Sequence, residues 1–140
     1  MNFLVVYYSK GGKTRKIAEV IAQELDCEAI DLKKETPNVS EVDMLIVGSG
    51  NYGGKPDKKI QNFIDRLHPS IDRKAAVFAT SGGSESKCIH VMEEDLKMKG
   101  FKVVSGFYCL GQFTLLNRGH PNENDLKNAR SFANQLKKYY

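Results

Sequence analysis

Four short runs rich in Val, Ile, Leu, Phe and Ala, Phe3–Tyr8, Met44–Val47, Ala75–Ala79 and Val103–Leu110, show no clean alternation of polar and apolar positions. A strand that is apolar on both faces needs cover on both, as in a parallel sheet between two layers of helices. The last run is interrupted by Ser105-Gly106, and Cys27–Leu32 is a weaker fifth strand, expected at an edge. Between the runs the apolar residues fall at helical spacing. Ile17, Ile21 and Leu25 form one stripe, with Ala18 and Ala22 beside them. Ile60, Phe63, Ile64 and Leu67 follow Pro56, a residue suited to a first turn. Cys88, Met92 and Leu96 lie between a Ser84 cap and Gly100. Leu126, Ala129, Ala133, Leu136 and Tyr140 are entered through residues 121–125, whose acids suit a helix N-terminus.

Strands alternating with helices of about 12 residues are βαβ units, and right-handed crossovers wind them into one sheet. The sequence thus predicts an α/β three-layer sandwich: a five-stranded parallel sheet of order 2-1-3-4-5 with helices on both faces. Its 140 residues suit a single domain, 1–140. Residues Lys33–Glu41 are the one ambiguous connection, expected as a turn or short helix near Pro37.

Several function classes fall away. No run approaches the roughly 18 apolar residues of a membrane span. The apolar N-terminus lacks a basic lead or cleavage site and reads as a strand, which leads to a cytoplasmic expectation. Cys27, Cys88 and Cys109 are odd in number and form no C-x-x-C pair, and His68, His90 and His120 are scattered, so neither disulfide nor metal site is expected. The net charge of +4 comes from lysines spread along the chain, not from a nucleic-acid-binding stripe.

Ligands of such sheets bind beyond the carboxyl ends of the strands. There the sequence reads Ser9-Lys10-Gly11-Gly12-Lys13-Thr14, then Gly48-Ser49-Gly50-Asn51-Tyr52-Gly53-Gly54, then Thr80-Ser81-Gly82-Gly83-Ser84, then Cys109-Leu110-Gly111. Small residues and hydroxyls at every end let backbone approach a ligand. The first loop has the makings of an anion site: free amides, hydroxyls of Ser9 and Thr14, and a helix dipole. Gly12-Lys13-Thr14 mimics the end of a P-loop, but Tyr7 stands where that motif needs glycine. Gly48 to Gly53 fits G-x-G-x-x-G literally, yet the next strand ends in Ala79-Thr80, without a ribose-binding acid.

The first loop resembles the flavodoxin phosphate loop, [ST]-x-T-G-x-T, with Gly11 replacing the middle threonine, so that one hydroxyl is lost and the N–H kept. Residues 48–56 resemble the second flavin loop of short-chain flavodoxins, and the order of elements matches over essentially the whole chain. The resemblance implies non-covalent FMN, with Ser9, Lys10, Gly11, Gly12, Lys13 and Thr14 around its phosphate. Gly50, Asn51, Tyr52, Gly53 and Gly54 then lie beside the ring. Tyr52 packs on one ring face, and Gly53 stands at a peptide that reorients on reduction and accepts from flavin N5–H. Thr80, Ser81, Gly82 and Gly83 line the other side and the pyrimidine edge.

The sequence departs from the family in two further ways. The third loop has no aromatic and the chain no tryptophan, so the second ring face is open or covered by Phe113 or another chain. Where familiar flavodoxins are acidic, Lys10, Lys13, Lys55, Lys58 and Lys59 face a lone Asp57. A unit charge about 10 Å away in water contributes about 0.4 kcal/mol, on the order of 20 mV for a one-electron couple. A less reducing second couple follows, together with redox partners that present acidic docking faces. The implied protein is an FMN electron carrier rather than an enzyme, a monomer or weak homo-oligomer. An FMN-dependent NAD(P)H quinone or flavin oxidoreductase and a flavin-free α/β binding or regulatory domain stay open as alternatives. Glu93-Glu94-Asp95 reads as a solvated helix face and Cys109 as a structural thiol.

Overall fold

The computed structural model describes residues 1–81, 87–110 and 121–139, with the side chains of Ser81 and Leu110 left aside. The chain runs β1 (Phe3–Tyr7), α1 (Lys13–Leu25), β2 (Ala29–Asp31), β3 (Met44–Gly50), α2 (Lys58–Asp65), β4 (Lys74–Ser81), α3 (Lys87–Met98), β5 (Lys102–Leu110) and α4 (Glu123–Leu136). All strand pairs are parallel and the order is β2-β1-β3-β4-β5, as the sequence predicts.

Strand residues divide by parity between two apolar layers. Leu4, Val6, Leu45, Val47, Ala75 and Val77 meet Ile60, Phe63 and Ile64 of α2 and Cys88, Ile89, Met92 and Leu96 of α3. Val5, Tyr7, Met44, Ile46, Ala76 and Phe78 meet Ile17, Ile21 and Leu25 of α1 and Ala129, Phe132, Ala133 and Leu136 of α4. Every residue of β3, the central strand, is buried, which is why its sequence lacks alternation. One close approach shapes this centre. Gly48 of β3 pairs with Phe78 of β4, and a Cβ on Gly48 would lie 2.0 Å from the Phe78 ring.

The interruption in the last strand also has a cause. Ala75 pairs with Val103 but Ala76 with Ser105, so Val104 is an extra residue in β5. The bulge rephases the strand: Val104 and Phe107, an odd distance apart, both reach the α1/α4 layer. The edge strand β2 is shorter than its apolar run because Cys27 closes α1, its N–H donating to the Ala22 carbonyl at 3.0 Å. Asp57, not Pro56, opens α2: its side chain accepts from the Lys59 N–H at 2.8 Å, which leaves Pro56 outside the helix. Residues 33–41 contain no helix, only a turn at each end: the Asp31 carbonyl accepts from Lys34 and Glu35, and the Val39 carbonyl from Val42. Asn122 caps α4 in a reciprocal box with Asp125, so the acids expected there do act at the helix start. The Ser84 cap and Tyr140 lie outside the described residues.

Burial pushes the thiols of Cys27 and Cys88 up to about 11 and that of Cys109 up to about 12. A group whose pKa is raised by folding lends stability that is complete below its unfolded pKa and lost as pH climbs through the folded value. Urea midpoints are therefore expected to fall between about pH 9 and 12, and less steeply in Cys109→Ala. An unchanged slope in that variant would count against this origin.

Candidate functional site

The loops that follow β1 and β3 meet beyond the carboxyl ends of their strands, beside the last residues of β4. In the first, the Gly12 N–H donates to the buried Ser9 Oγ at 3.0 Å, folding the loop back on itself. Gly12 is the N-cap of α1 at φ +86°, a left-handed conformation that disfavours a Cβ. No side chain caps α1 and no acid lies in its first turn, whereas α2 and α4 are capped by Asp57 and Asn122. The leading amides of α1, around Lys13 and Thr14, therefore stay open to an incoming acceptor, backed by the helix dipole. Gly11 differs in backbone alone: a Cβ at either glycine meets nothing within 4 Å, but the φ of Gly11 is ordinary.

The first loop is tied to β4 from below. Thr14 Oγ1 and Thr80 Oγ1, both buried, are 2.8 Å apart in a hydrogen bond that either can donate. Thr80 also anchors the second loop, its carbonyl accepting from the Asn51 N–H at 2.9 Å. Tyr52 and Lys55 exchange N–H···O=C bonds of 2.8 and 3.2 Å around Gly53 and Gly54, at φ +64° and +87°. Two successive positive φ values make this a tight primed hairpin, which explains the Gly-Gly pair. Asn51 Oδ1 accepts from the Gly54 N–H at 2.9 Å.

Tyr52 is 41% exposed, the one exposed large apolar side chain among the described residues of these loops. Its hydroxyl end lies over Gly50, where a Cβ would come within 2.8 Å of Oη. Partial burial, then Asp57, raises its phenol pKa. Lys10 Nζ stands 4.6 Å from the Tyr52 ring centroid and 3.8 Å from Asp57 Oδ2, so it bridges the first and second loops. Asp57 is itself held by its N–H on Ser49 Oγ at 2.9 Å, and that hydroxyl donates to the Gly50 carbonyl at 2.7 Å. Lys59 lines a groove with Leu32, Thr36 and Asn62. Lys10 is thus taken up by Asp57, while Lys13, Lys55, Lys58 and Lys59 have no salt bridge to another described residue, the uncompensated charges on which the expected shift of potential rests.

Ser9, Lys10, Gly11, Gly12, Lys13 and Thr14, then Gly50, Asn51, Tyr52, Gly53 and Gly54, then Thr80 are all at one end of the sheet. Ser81 ends β4 beside them; Gly82, Gly83 and Phe113 lie outside the described residues. Asp57 and Ser49 were not among the expected site residues, yet they hold Lys10 and the second loop in place. Pro-Asp before a helical stripe was the available signal, as an N-cap. Cys109 is buried with the α1/α4 layer, as a structural thiol would be. Among the described residues no group of His, Cys, Asp and Glu could hold a metal ion, and no helix is long and apolar enough to cross a membrane.

Comparison with known proteins gives consistent results. A family model described as a flavodoxin domain matches residues 4–118. An uncharacterized protein of Methanocaldococcus jannaschii is 37% identical, over 99% of both chains. A flavodoxin of Clostridium beijerinckii is 31% identical over 71% of this chain and 79% of its own. Among solved structures, a flavodoxin from the domain Archaea superposes with a TM-score of 0.82 at 20% identity, covering 97% of this chain and 96% of that one.

Proposed function

Since this chain belongs to the flavodoxin family, we propose that it binds FMN non-covalently across the three loops and carries electrons between redox partners. The observation that carries the reading is the uncapped start of α1 beside the buried Thr14–Thr80 pair: open amides and hydroxyls that suit a phosphate monoester. Bound FMN supplies reversible one- and two-electron chemistry; the protein sets its binding, orientation and exposure.

In this reading Ser9, Gly11, Gly12, Lys13 and Thr14 hold the phosphate through amides and hydroxyls. Tyr52, steadied over Gly50 and by Lys10, offers its ring to the flavin. The 52–55 hairpin presents the Gly53 and Gly54 peptides to the flavin edge, and both glycines tolerate either sign of φ. Ser81, Gly82 and Gly83 belong to the remaining wall. The half-exposed Tyr52 leaves a solvent-facing edge through which electrons can pass directly to a partner, which favours a carrier. Lys13, Lys55 and Lys58, exposed or half-buried and without a salt bridge to another described residue, suit partners with acidic faces.

Titrating the chain with FMN tests this directly. Flavin fluorescence is expected to quench at one equivalent, with riboflavin, which lacks the phosphate, bound at least about tenfold more weakly. Equal affinity for both ligands, or no quenching, defeats the reading. Fast NADH oxidation in the presence of quinone would make the protein an oxidoreductase instead.

A further inference from the structure

A cavity of about 270 Å³ opens at the opposite end of the sheet, between segment 36–40 leading into β3 and segment 66–73 leading into β4. β4 alone has eight residues; at about 3.3 Å each, roughly 25 Å separates this cavity from the loops described above. Phe63, Leu67 and Phe101, all buried, give it an apolar floor. Arg66, His68 and Arg73 line it as well, and no carboxylate does among the described residues.

Both walls are fixed in advance. The half-buried Arg73 guanidinium donates through Nη1 to the Val39 carbonyl at 2.6 Å and through Nη2 to the Ser40 carbonyl, holding that loop off α2. Two of its five donors serve this purpose, and both acceptors are neutral, so the positive charge keeps no carboxylate partner among the described residues. On the other side the Ser70 N–H donates to the Lys99 carbonyl at 2.7 Å. Gly100, at φ +91°, packs so closely that a Cβ would lie 2.6 Å from the Ser70 carbonyl oxygen. Collapse of the cavity is blocked from both directions.

We propose that this cavity is a second ligand site, for a small organic anion with an apolar body: an aryl or acyl carboxylate, sulfonate or phosphate ester. The floor rewards apolar area, and a guanidinium that is partly out of water attracts an anion more strongly than an exposed one does. A neutral apolar molecule would desolvate the three basic side chains without compensation. The volume is just under the range of pockets that hold drug-sized molecules, which sets the ligand at fragment size.

The chemical probe is 8-anilinonaphthalene-1-sulfonate, with uncharged N-phenyl-1-naphthylamine as its control, added to the full chain with and without FMN. The sulfonate is expected to bind one saturable site and to move amide resonances of residues 36–40, 63–73 and 101. FMN should leave its affinity unchanged, and the control should bind at least about tenfold more weakly. Arg66→Gln, at the exposed end of α2, should weaken the sulfonate about fivefold with an unchanged melting temperature, and Arg66→Gln/His68→Gln further. Displacement by FMN, shifts confined to residues 9–14 and 50–55, equal binding of the control, or no effect of Arg66→Gln overturns the proposal. The resonance shifts, the uncharged control and Arg66→Gln read this cavity whether or not FMN binds; only the displacement arm involves FMN, so failure of this proposal and failure of the FMN reading are distinguishable.

Discussion

Gly48→Val is expected to prevent stable folding, although valine is the better strand former by as much as about 1 kcal/mol. The Cβ alone would sit 2.0, 2.3 and 2.4 Å from three atoms of the Phe78 ring, which is fully buried and hemmed in by Ile17, Ile21 and the other residues of the α1/α4 layer. A ring in a close-packed core cannot retreat without shifting the helices above it. Overpacking of this kind costs about 3 kcal/mol or more, a large share of the roughly 5–15 kcal/mol available to a domain. The check is urea unfolding of Gly48→Ala, Gly48→Val and each of them combined with Phe78→Ala. The combined variants should recover part of the loss, a coupling that independent sites would not show. If Gly48→Val unfolds at the wild-type urea concentration, the packing account is wrong. Gly50 is a useful contrast, because its hypothetical Cβ meets only the far end of the Tyr52 side chain, which can swing away.

The second large effect is expected at Gly12. Gly12→Val places a β-branched residue at φ +86°, which costs about 1–3 kcal/mol in strain and disturbs the start of α1. It also puts a side chain where a phosphate oxygen would approach the open amides. Affinity for FMN should fall at least about a hundredfold, since several charge-assisted hydrogen bonds go together. Affinity for riboflavin should change far less. Gly11→Ala is the matched control: its φ is not positive and a Cβ there has open space, so stability should stay within about 0.5 kcal/mol of wild type. Flavin titration of the two variants, with chemical unfolding alongside, separates the effects. FMN affinity within about threefold of wild type in Gly12→Val would place the phosphate elsewhere.

The layers of the fold were legible because burial on both faces of a strand leaves a direct mark on its sequence. β3 and β4 are apolar without alternation, and the helical stripes at Ile17-Ile21-Leu25 and Cys88-Met92-Leu96 mark the faces that cover them. The gathering of the first two loops at one end of the sheet was legible too, since alternating parallel strands and helices bring successive strand ends to the same edge. What stayed hidden depends on contacts between residues distant in the chain. The extra residue at Val104 shows only in pairing with β4, and the requirement for glycine at position 48 exists only because Phe78 crosses it. Lys10 reads as a free charge in the sequence, but the fold brings it to Asp57 and Tyr52. Propensity errors were local: Asp57 outcompetes Pro56 for the start of α2 because its carboxylate satisfies an amide that proline's ring cannot.

The hydrogen bond between Thr14 and Thr80 involves two hydroxyl protons and consumes one. The spare proton rests on whichever oxygen accepts. When Thr80 donates, Thr14 is free to aim its own hydrogen at an anion above it, and when Thr14 donates, the free hydrogen belongs to Thr80. The polarity of the pair can therefore reverse through two hydroxyl rotations, with no displacement of heavy atoms. A floor of this kind suits a guest whose phosphate charge varies with pH, because it can answer either protonation state without being rebuilt.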